Sequence, residues 1–220
     1  MTVEAEATVE APSHAAFVWS RLASLVAVAP LGFWTVMHVW DNLAAFEGAA
    51  AWEAQVTGHA HPVAHVLTAT IVFAPLILHT IWGVARLVKA RPNLGKYRTY
   101  DNLKYVLQRL SAIGVLLFIA AHVWLAYLRP RLVLGHAEHF ADIAREMRWH
   151  VPTLIVYLLG TFGVAYHLAN GINTFAFGWG LCTTRRAVRR WEIASIALFV
   201  LLWAGSWAVI YALWRAGAAG

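Results

Sequence analysis

The chain has 220 residues, of which 60% are hydrophobic and 13% are charged, with a formal net charge of +6. This composition is too apolar for a typical soluble domain, and the single Cys182 excludes a disulfide scaffold and an iron–sulfur cluster ligated by this chain alone. The basic residues lie between apolar runs, so membrane topology explains the positive charge better than nucleic-acid binding does.

The hydropathy pattern divides the chain into a short polar tail and five apolar runs. Residues 1–17 carry glutamates but no lysine or arginine, so they lack the positive start of a signal peptide, and we expect a polar N-terminal tail. Each run is long enough for a membrane-spanning helix of about 20 residues. The runs are 18–46, 63–88, 105–128, 151–177 and 191–214. The sequence therefore predicts an all-α membrane protein in which residues 18–216 form a single five-helix transmembrane bundle.

The loops between the spans differ in charge, which predicts their orientation. The second and fourth loops are the most basic, with Arg86, Lys89, Arg91, Lys96, Arg98, Lys104 and Arg109 in and beside one and Arg185, Arg186, Arg189 and Arg190 in the other. The positive-inside rule places both loops in the cytoplasm. We therefore expect the N-terminus inside and the C-terminus outside.

One histidine lies within each of the first four spans: His38, His79, His122 and His167. Because successive spans run in opposite directions, His38 and His122 share the outer level, and His79 and His167 share the inner level. Two imidazoles at one depth can hold one iron axially, and a rise of about 1.5 Å per residue puts the two levels on the order of 10–15 Å apart. This pattern predicts two haems stacked across the membrane.

Small residues accompany these histidines. Gly160, Gly163 and Gly171 lie on one helical face with His167, which predicts a groove where a flat ligand can approach the backbone. Small neighbours also accompany His79 and His122, namely Gly83 and Gly114. Polar groups within spans are costly, so an interhelical hydrogen bond or a proton relay is the alternative explanation for each single histidine.

Three motifs carry a resemblance that covers nearly all of the chain from the first span to the fifth. They are His167-Leu-Ala-Asn170-Gly171 followed by Phe175 and Trp179-Gly180, then Gln108-Arg109-Leu-Ser111, and His38 with Asn42. With them the chain resembles the dihaem cytochrome b membrane anchor of succinate dehydrogenases and fumarate reductases, in the form whose single five-helix subunit carries both haems. The resemblance implies two b-type haems, one ligated by His38 and His122 and the other by His79 and His167.

The resemblance also implies partners and a place in the cell. The inner haem would face an iron–sulfur subunit, which binds a flavoprotein that oxidises succinate or reduces fumarate, and the anchor would exchange electrons with a quinone, menaquinone in most such anchors. The site of action would be a bacterial cytoplasmic membrane, with the chain as a multi-pass protein in contact with lipid. Some members carry a glutamate for proton transfer two residues before the fourth ligand, and Ala165 stands there in this chain.

Acidic residues near the outer ends of the spans are candidates for proton exchange with the quinone. Glu53 and Glu47 lie in the first outer loop, where some family members use a glutamate for quinol chemistry, and Asp41 lies one turn after His38. The alternative is that these are solvated loop carboxylates.

Two residues at the cytoplasmic start of the third span are candidates for contact with the inner haem. Gln108 and Arg109 lie at the expected depth for binding its propionates. A role as a topology determinant explains Arg109 equally well.

Further histidines lie in the outer loops or, for His65, at the outer start of the second run; they are His59, His61, His65, His136, His139 and His150. Such spacing can bind zinc, but with no cysteine and few acids beside them we favour an interfacial or quinone-site role. Two other functions stay open for the whole chain. One is the dihaem cytochrome b of another quinone-linked enzyme, such as a formate dehydrogenase or hydrogenase, against which the five-helix count argues. The other is a proton or metal transporter, against which the pairing by depth argues.

Overall fold

The computed structural model describes residues 13–58, 62–93 and 95–218. Within these ranges the chain is helical and contains no strand, and five of its helices are long and apolar enough to cross a membrane. The predicted all-α class with five transmembrane helices is therefore confirmed. Most of the predicted N-terminal tail, residues 1–12, lies outside the described residues.

Seven helices follow one another in chain order within the described ranges. Helix α1 covers His14–Phe46, α2 begins as Ala49–Trp52 and continues through Glu53–Thr57, and α3 consists of Pro62–Thr68, Ala69–Phe73 and Ala74–Val88. Helix α4 covers Tyr100–Leu134, α5 covers Phe140–Trp149, α6 covers Val151–Gly178, and α7 covers Arg185–Ala216. The five spanning helices are α1, α3, α4, α6 and α7.

Three spanning helices begin several residues before the apolar runs that predict them. Side-chain oxygens of Ser13, Thr99 and Thr184 accept hydrogen bonds from backbone N–H groups three residues further on, in α1, α4 and α7. Such N-caps satisfy donors that a helix start leaves unpaired, so the helix can begin in polar sequence. The last residues of the predicted tail, from His14 onward, consequently lie in α1.

Prolines inside the spans coincide with wider helical turns. Pro30 lies within the π-helical stretch Ala27–Gly32 of α1, and Pro130 begins the π-helical stretch Pro130–Leu134 of α4. Proline has no N–H to donate and clashes with the preceding turn, so the helix adjusts its hydrogen bonding there. Both spans remain continuous through their prolines.

Helix α6 lies at the centre of the bundle, between α4 and α7. Its buried small residues Gly160, Ala165, Ala169 and Ala176 allow the neighbouring backbones to approach closely. Helix α1 contacts α3 and α7, whereas α3 packs mainly against α1 and touches α4 only slightly. Helix α3 therefore lies at the edge of the bundle.

The buried apolar core is concentrated at one end of the bundle, where α5 packs against α6 and α7 and α2 packs against α1 and α5; we call this the capped end. Trp52 of α2 and Phe140 of α5 have ring centroids 5.7 Å apart, and Met147 of α5 is 1% exposed. They belong to one cluster with Tyr157 of α6 and Ile210 of α7. Elsewhere the spans expose many large apolar side chains, as lipid-facing helices do.

Candidate functional site

The four histidines within the spans meet as two pairs. His38 of α1 and His122 of α4 have ring centroids 5.8 Å apart with planes inclined by 71°. His79 of α3 and His167 of α6 have centroids 6.2 Å apart with planes inclined by 66°. The first span is thus joined with the third and the second with the fourth, which is the pairing that depth predicts.

The imidazole of His167 is held by two residues of α4. Its Nδ1 lies 3.2 Å from the Ser111 hydroxyl oxygen and 3.2 Å from Gln108 Nε2. Ser111 donates its one hydroxyl proton to the Gln108 carbonyl oxygen at 3.0 Å, so its oxygen is available to accept from His167 Nδ1–H. This tautomer leaves the lone pair of His167 Nε2 free for a ligand.

The Gln108 amide connects α4 to α6 through both of its ends. Its Nε2 donates to the His167 carbonyl oxygen at 3.1 Å, and its Oε1 accepts from Asn170 Nδ2 at 2.8 Å. The amide that the sequence suggested for a haem propionate is therefore engaged with the helix that carries His167.

Arg109, the neighbour of Gln108, keeps part of its hydrogen-bonding capacity unused. Its Nη1 donates to the Tyr105 carbonyl oxygen at 3.1 Å, and its guanidinium carbon lies 3.2 Å from the centroid of the Tyr105 ring. Its Nε is buried and has no hydrogen-bond partner among the described residues. Buried polar groups are normally paired, so this N–H is a candidate donor to an anionic ligand.

The His38–His122 pair has its own supporting residues. His122 Nδ1 lies 3.1 Å from the Tyr157 hydroxyl group, and the Phe118 ring stacks on His122 with centroids 5.5 Å apart. His38 stacks on Trp34 at 4.4 Å. When the Tyr157 oxygen accepts the proton of His122 Nδ1, the lone pair of Nε2 is free for a ligand.

The glycines of α6 serve helix packing rather than an open groove. A Cβ at Gly160 would lie 2.1 Å from Cδ2 of Phe118, so the absence of a side chain there makes room for this ring. A Cβ at Gly163 or Gly171 would meet α4 at ordinary contact distances of 3.8 and 3.7 Å. The predicted ligand groove is therefore wrong at Gly160, because the helical face that it shares with His167 is covered by α4.

Open space lies instead beside glycines on α3 and α4. A Cβ at Gly83 or Gly114 would meet nothing within 4 Å among the described residues. Gly83 lies one turn after His79, and Gly114 lies about one turn after Ser111, which contacts His167. His79 Nδ1 is also buried without a hydrogen-bond partner in the described part of the chain. The surroundings of the His79–His167 pair therefore have both space and an unpaired polar atom.

The acidic candidates of the first outer loop lie at the capped end. Glu53 Oε1 accepts from the backbone N–H of Phe140 at 3.0 Å and lies 3.5 Å from His139 Nδ1. This contact caps the start of α5, a structural role that the sequence did not predict. Glu47 is exposed just beyond α1, and Asp41 accepts a hydrogen bond from the Gln55 amide at 3.1 Å.

A group of polar side chains beneath α5 was also missed in the sequence. Glu138 is 8% exposed, although it belongs to a loop, and burial raises the pKa of its carboxyl group to about 8, with Arg131 lowering this pKa and Asp142 raising it. Nearby, Arg129 Nη1 pairs with Glu146 Oε1 at 3.1 Å. The sequence does not distinguish a buried acidic residue in a loop from a solvated one. The burial of Glu138 becomes visible only in the packing of α5 over it.

The structure describes only some of the outer-loop histidines. His59 and His61 lie outside the described residues, as does the side chain of His65. His136 and His139 have ring centroids 4.7 Å apart. Among the described residues, no group of three or more histidine, cysteine or acidic side chains has a geometry that can hold a metal ion.

Comparison with known proteins agrees with this arrangement of spans. Residues 88–206, slightly more than half of the chain, match the family described as "Succinate dehydrogenase/Fumarate reductase transmembrane subunit". The chain is also similar to the succinate dehydrogenase cytochrome b558 subunit of Bacillus subtilis (strain 168), with 31% identity over 191 residues that cover 84% of this chain and 91% of the relative. The chain therefore belongs to the family of transmembrane subunits of succinate dehydrogenase and fumarate reductase.

Proposed function

We propose that this chain is the membrane anchor and electron-transfer subunit of a succinate:quinone oxidoreductase. It holds two b-type haems, one between His38 and His122 and the other between His79 and His167. It passes electrons between an iron–sulfur subunit and a membrane quinone, menaquinone. The observation that carries this proposal is the meeting of four histidines from four different spans as two pairs.

The separation within each pair fits two imidazoles that would together hold one iron. A ligating imidazole nitrogen lies about 2 Å from a first-row transition metal, so two rings on opposite sides of one ion have centroids about 6 Å apart. The observed separations are 5.8 and 6.2 Å. An iron held in this way supplies reversible one-electron transfer.

The residues around the histidines also fit a haem. Ligating histidines normally use their second nitrogen in a hydrogen bond, which fixes the tautomer and the ring orientation. Ser111 does this for His167 and Tyr157 for His122. The open space beside Gly83 and Gly114 suits a flat macrocycle, and the unpaired Nε of Arg109 suits a propionate.

The orientation follows from the charges of the loops. The basic second and fourth loops would lie in the cytoplasm, which puts the capped end and the C-terminus outside. The His79–His167 pair would then be nearer to the iron–sulfur subunit, and a flavoprotein bound to that subunit would carry the dicarboxylate chemistry. Glu53 and Glu47, at the capped end, would exchange protons with the quinone on the outer side.

The family assignment argues against the two other functions considered from the sequence, a transporter and the cytochrome b of a formate dehydrogenase or hydrogenase. It supports membership of an enzyme complex with flavoprotein and iron–sulfur partners. The B. subtilis relative is named as a cytochrome b, which supports haem b as the cofactor.

Optical spectroscopy tests the proposal. A reduced-minus-oxidised spectrum of the purified protein should show b-type bands that correspond to two haems per chain. His79→Ala and His167→Ala should each remove the same haem, and His38→Ala and His122→Ala should each remove the other. His136→Ala, which changes a histidine outside the spans, is the matched control and should keep both haems. A colourless wild-type protein would contradict the proposal.

A further inference from the structure

A small cavity with both polar and apolar walls lies at the capped end, between α4, α5 and α6. Its polar lining includes Arg129, Glu138, Glu146, Thr153 and Tyr157, and it has room for about one water molecule. The members belong to three different helices and the loop before α5, so the cavity exists only because α5 folds over the bundle.

Glu138 is the buried carboxyl group among the residues that line this cavity, and it has no fixed partner. Glu146 pairs with Arg129 and accepts a hydrogen bond from Thr153 at 3.3 Å. Among the described residues, by contrast, no group hydrogen-bonds to or pairs with the Glu138 side chain, although it is only 8% exposed. A buried carboxyl group without a partner favours its neutral form and can change its protonation state near physiological pH, consistent with its raised pKa.

The charged and titratable groups that face Glu138 come from each neighbouring helix. Helix α4 contributes Arg129 and Arg131, α5 contributes Asp142 and Glu146, and α6 contributes Tyr157. Arg131 favours the ionised form of Glu138, and Asp142 favours the neutral form. Two neighbours thus act on Glu138 in opposite directions.

The cavity adjoins a groove at the surface of the capped end. A wider surface groove is lined by His136, Arg145, Trp149 and His150. The groove and the cavity share Arg129, Leu134, Asp142 and Glu146 in their walls. Water in the groove therefore has a short route to Glu138.

On its other side the cavity reaches the His38–His122 pair. Tyr157 lines the cavity, and its hydroxyl group lies 3.1 Å from His122 Nδ1. Tyr157 thus links the cavity that Glu138 lines to the pair, and it is buried, so charges on its two sides interact more strongly than in water.

Resting on the proposed function, we propose that Glu138 is a redox-linked proton site. Its carboxylate takes up one proton from the solution at the capped end when the His38–His122 centre gains one electron, and it releases that proton when the electron leaves. The electron comes from the iron–sulfur partner, and one O–H bond forms on Glu138 for each electron gained. The added negative charge near Tyr157 is compensated in this way.

Redox titration of the haem-loaded protein between pH 6 and pH 10 tests the proposal. We expect the midpoint potential of the His38–His122 centre to fall with rising pH by up to about 59 mV per pH unit, because one pH unit is a tenfold change in proton concentration for a one-electron couple. Glu138→Gln should make this potential independent of pH over the same range. The pH dependence of the His79–His167 centre is the internal control and should stay as in the wild type.

Two further variants test the direction of the effect without removing Glu138. Arg131→Gln should move the pH-dependent region to higher pH, and Asp142→Asn should move it to lower pH, because these neighbours act on Glu138 in opposite directions. They decide the question if Glu138→Gln does not retain its haem. Infrared difference spectra should add a protonated carboxyl band on reduction of the wild type that Glu138→Gln lacks.

The outcomes separate this proposal from the proposed function. A haem-loaded Glu138→Gln protein with the wild-type pH dependence would overturn the role of Glu138 alone. The same holds if Arg131→Gln and Asp142→Asn leave the pH-dependent region where it is. A wild-type protein without haem would instead contradict the proposed function itself.

Discussion

The Ser111 hydroxyl oxygen lies 3.2 Å from His167 Nδ1 and gives its own proton to the Gln108 carbonyl oxygen. As an acceptor it favours the tautomer of His167 with the proton on Nδ1, whereas the Gln108 amide, whose Nε2 lies 3.2 Å from the same nitrogen, favours the other. In the other tautomer Nδ1 would accept from the Gln108 amide, and the proton would sit on Nε2, the proposed ligand atom. The balance between these two contacts from α4 thus sets whether α6 presents a lone pair or a proton.

Ser111→Ala should weaken haem binding at the proposed His79–His167 site. The buried His167 Nδ1–H would lose its acceptor at a cost of about 1–3 kcal/mol, and loss of such an outer partner typically lowers metal affinity about 10- to 100-fold. The measurement is haem retention during dilution in detergent. Ser111→Thr keeps a hydroxyl group and is the matched control. Equal retention by Ser111→Ala and the wild type would show that the tautomer is fixed by another group.

Gly160→Ala should disturb the other pair through Phe118. The new Cβ would lie 2.1 Å from Cδ2 of Phe118, whose ring stacks on His122. Overpacking of this kind costs about 1–3 kcal/mol, so we expect a lower temperature of thermal unfolding and an altered spectrum of the His38–His122 centre. Gly163→Ala, with its Cβ 3.8 Å from Val115, should change neither. Indistinguishable behaviour of the two variants would contradict the assigned contact.

Variants of Glu53 separate its contact with α5 from a role in proton exchange. Glu53→Ala removes the acceptor for the Phe140 N–H and should cost about 0.5–2 kcal/mol of stability, as the loss of a helix cap does. Glu53→Gln keeps an acceptor oxygen, so it should retain stability while quinone reduction slows. The measurements are thermal unfolding and quinone reductase rate, with Glu47→Gln as the comparison. A normal rate in Glu53→Gln would leave Glu53 with the capping role alone.

The stability of the capped end should depend on pH through Glu138. The pKa of this carboxyl group is about 8 in the folded protein against an ordinary value of 4.5, so between these values the folded state binds a proton that the unfolded state has lost. The free energy of unfolding should therefore fall as pH rises from about 5 to 8 and level off above that range. Glu138→Gln should remove this fall. Unfolding of the detergent-solubilised protein at pH 5 and pH 8 checks it, and parallel curves for wild type and variant would contradict it.

The sequence predicted those features that depend on hydropathy and on helical rise. The five spans follow from apolar runs, and the pairs His38–His122 and His79–His167 follow from depth, because a helix of known direction converts residue number into position. The starts of three spans were placed too late, since hydroxyl caps extend the helices into polar sequence.

Features that depend on which neighbour covers a helical face could not be predicted in this way. Gly160 lies on the same face as His167, but periodicity does not reveal that Phe118 fills the space beside it. Likewise, Glu138 is buried because the segment before α6 contains a helix, α5, that packs over it. The motif around Gln108 gave no sign that its amide forms hydrogen bonds within the bundle. These contacts arise from the packing of distant segments.

Helix α3 is attached to the rest of the bundle in an unusual way. Among its described side chains, Val72 alone is buried, and its contacts are mainly with α1. In the proposed function, His79 joins α3 to α6 through a metal ion, so the cofactor acts as a crosslink between helices that share little surface. The supply of haem during biogenesis would then decide whether the second span is secured in the membrane, which makes cofactor insertion a step of folding and a point of quality control.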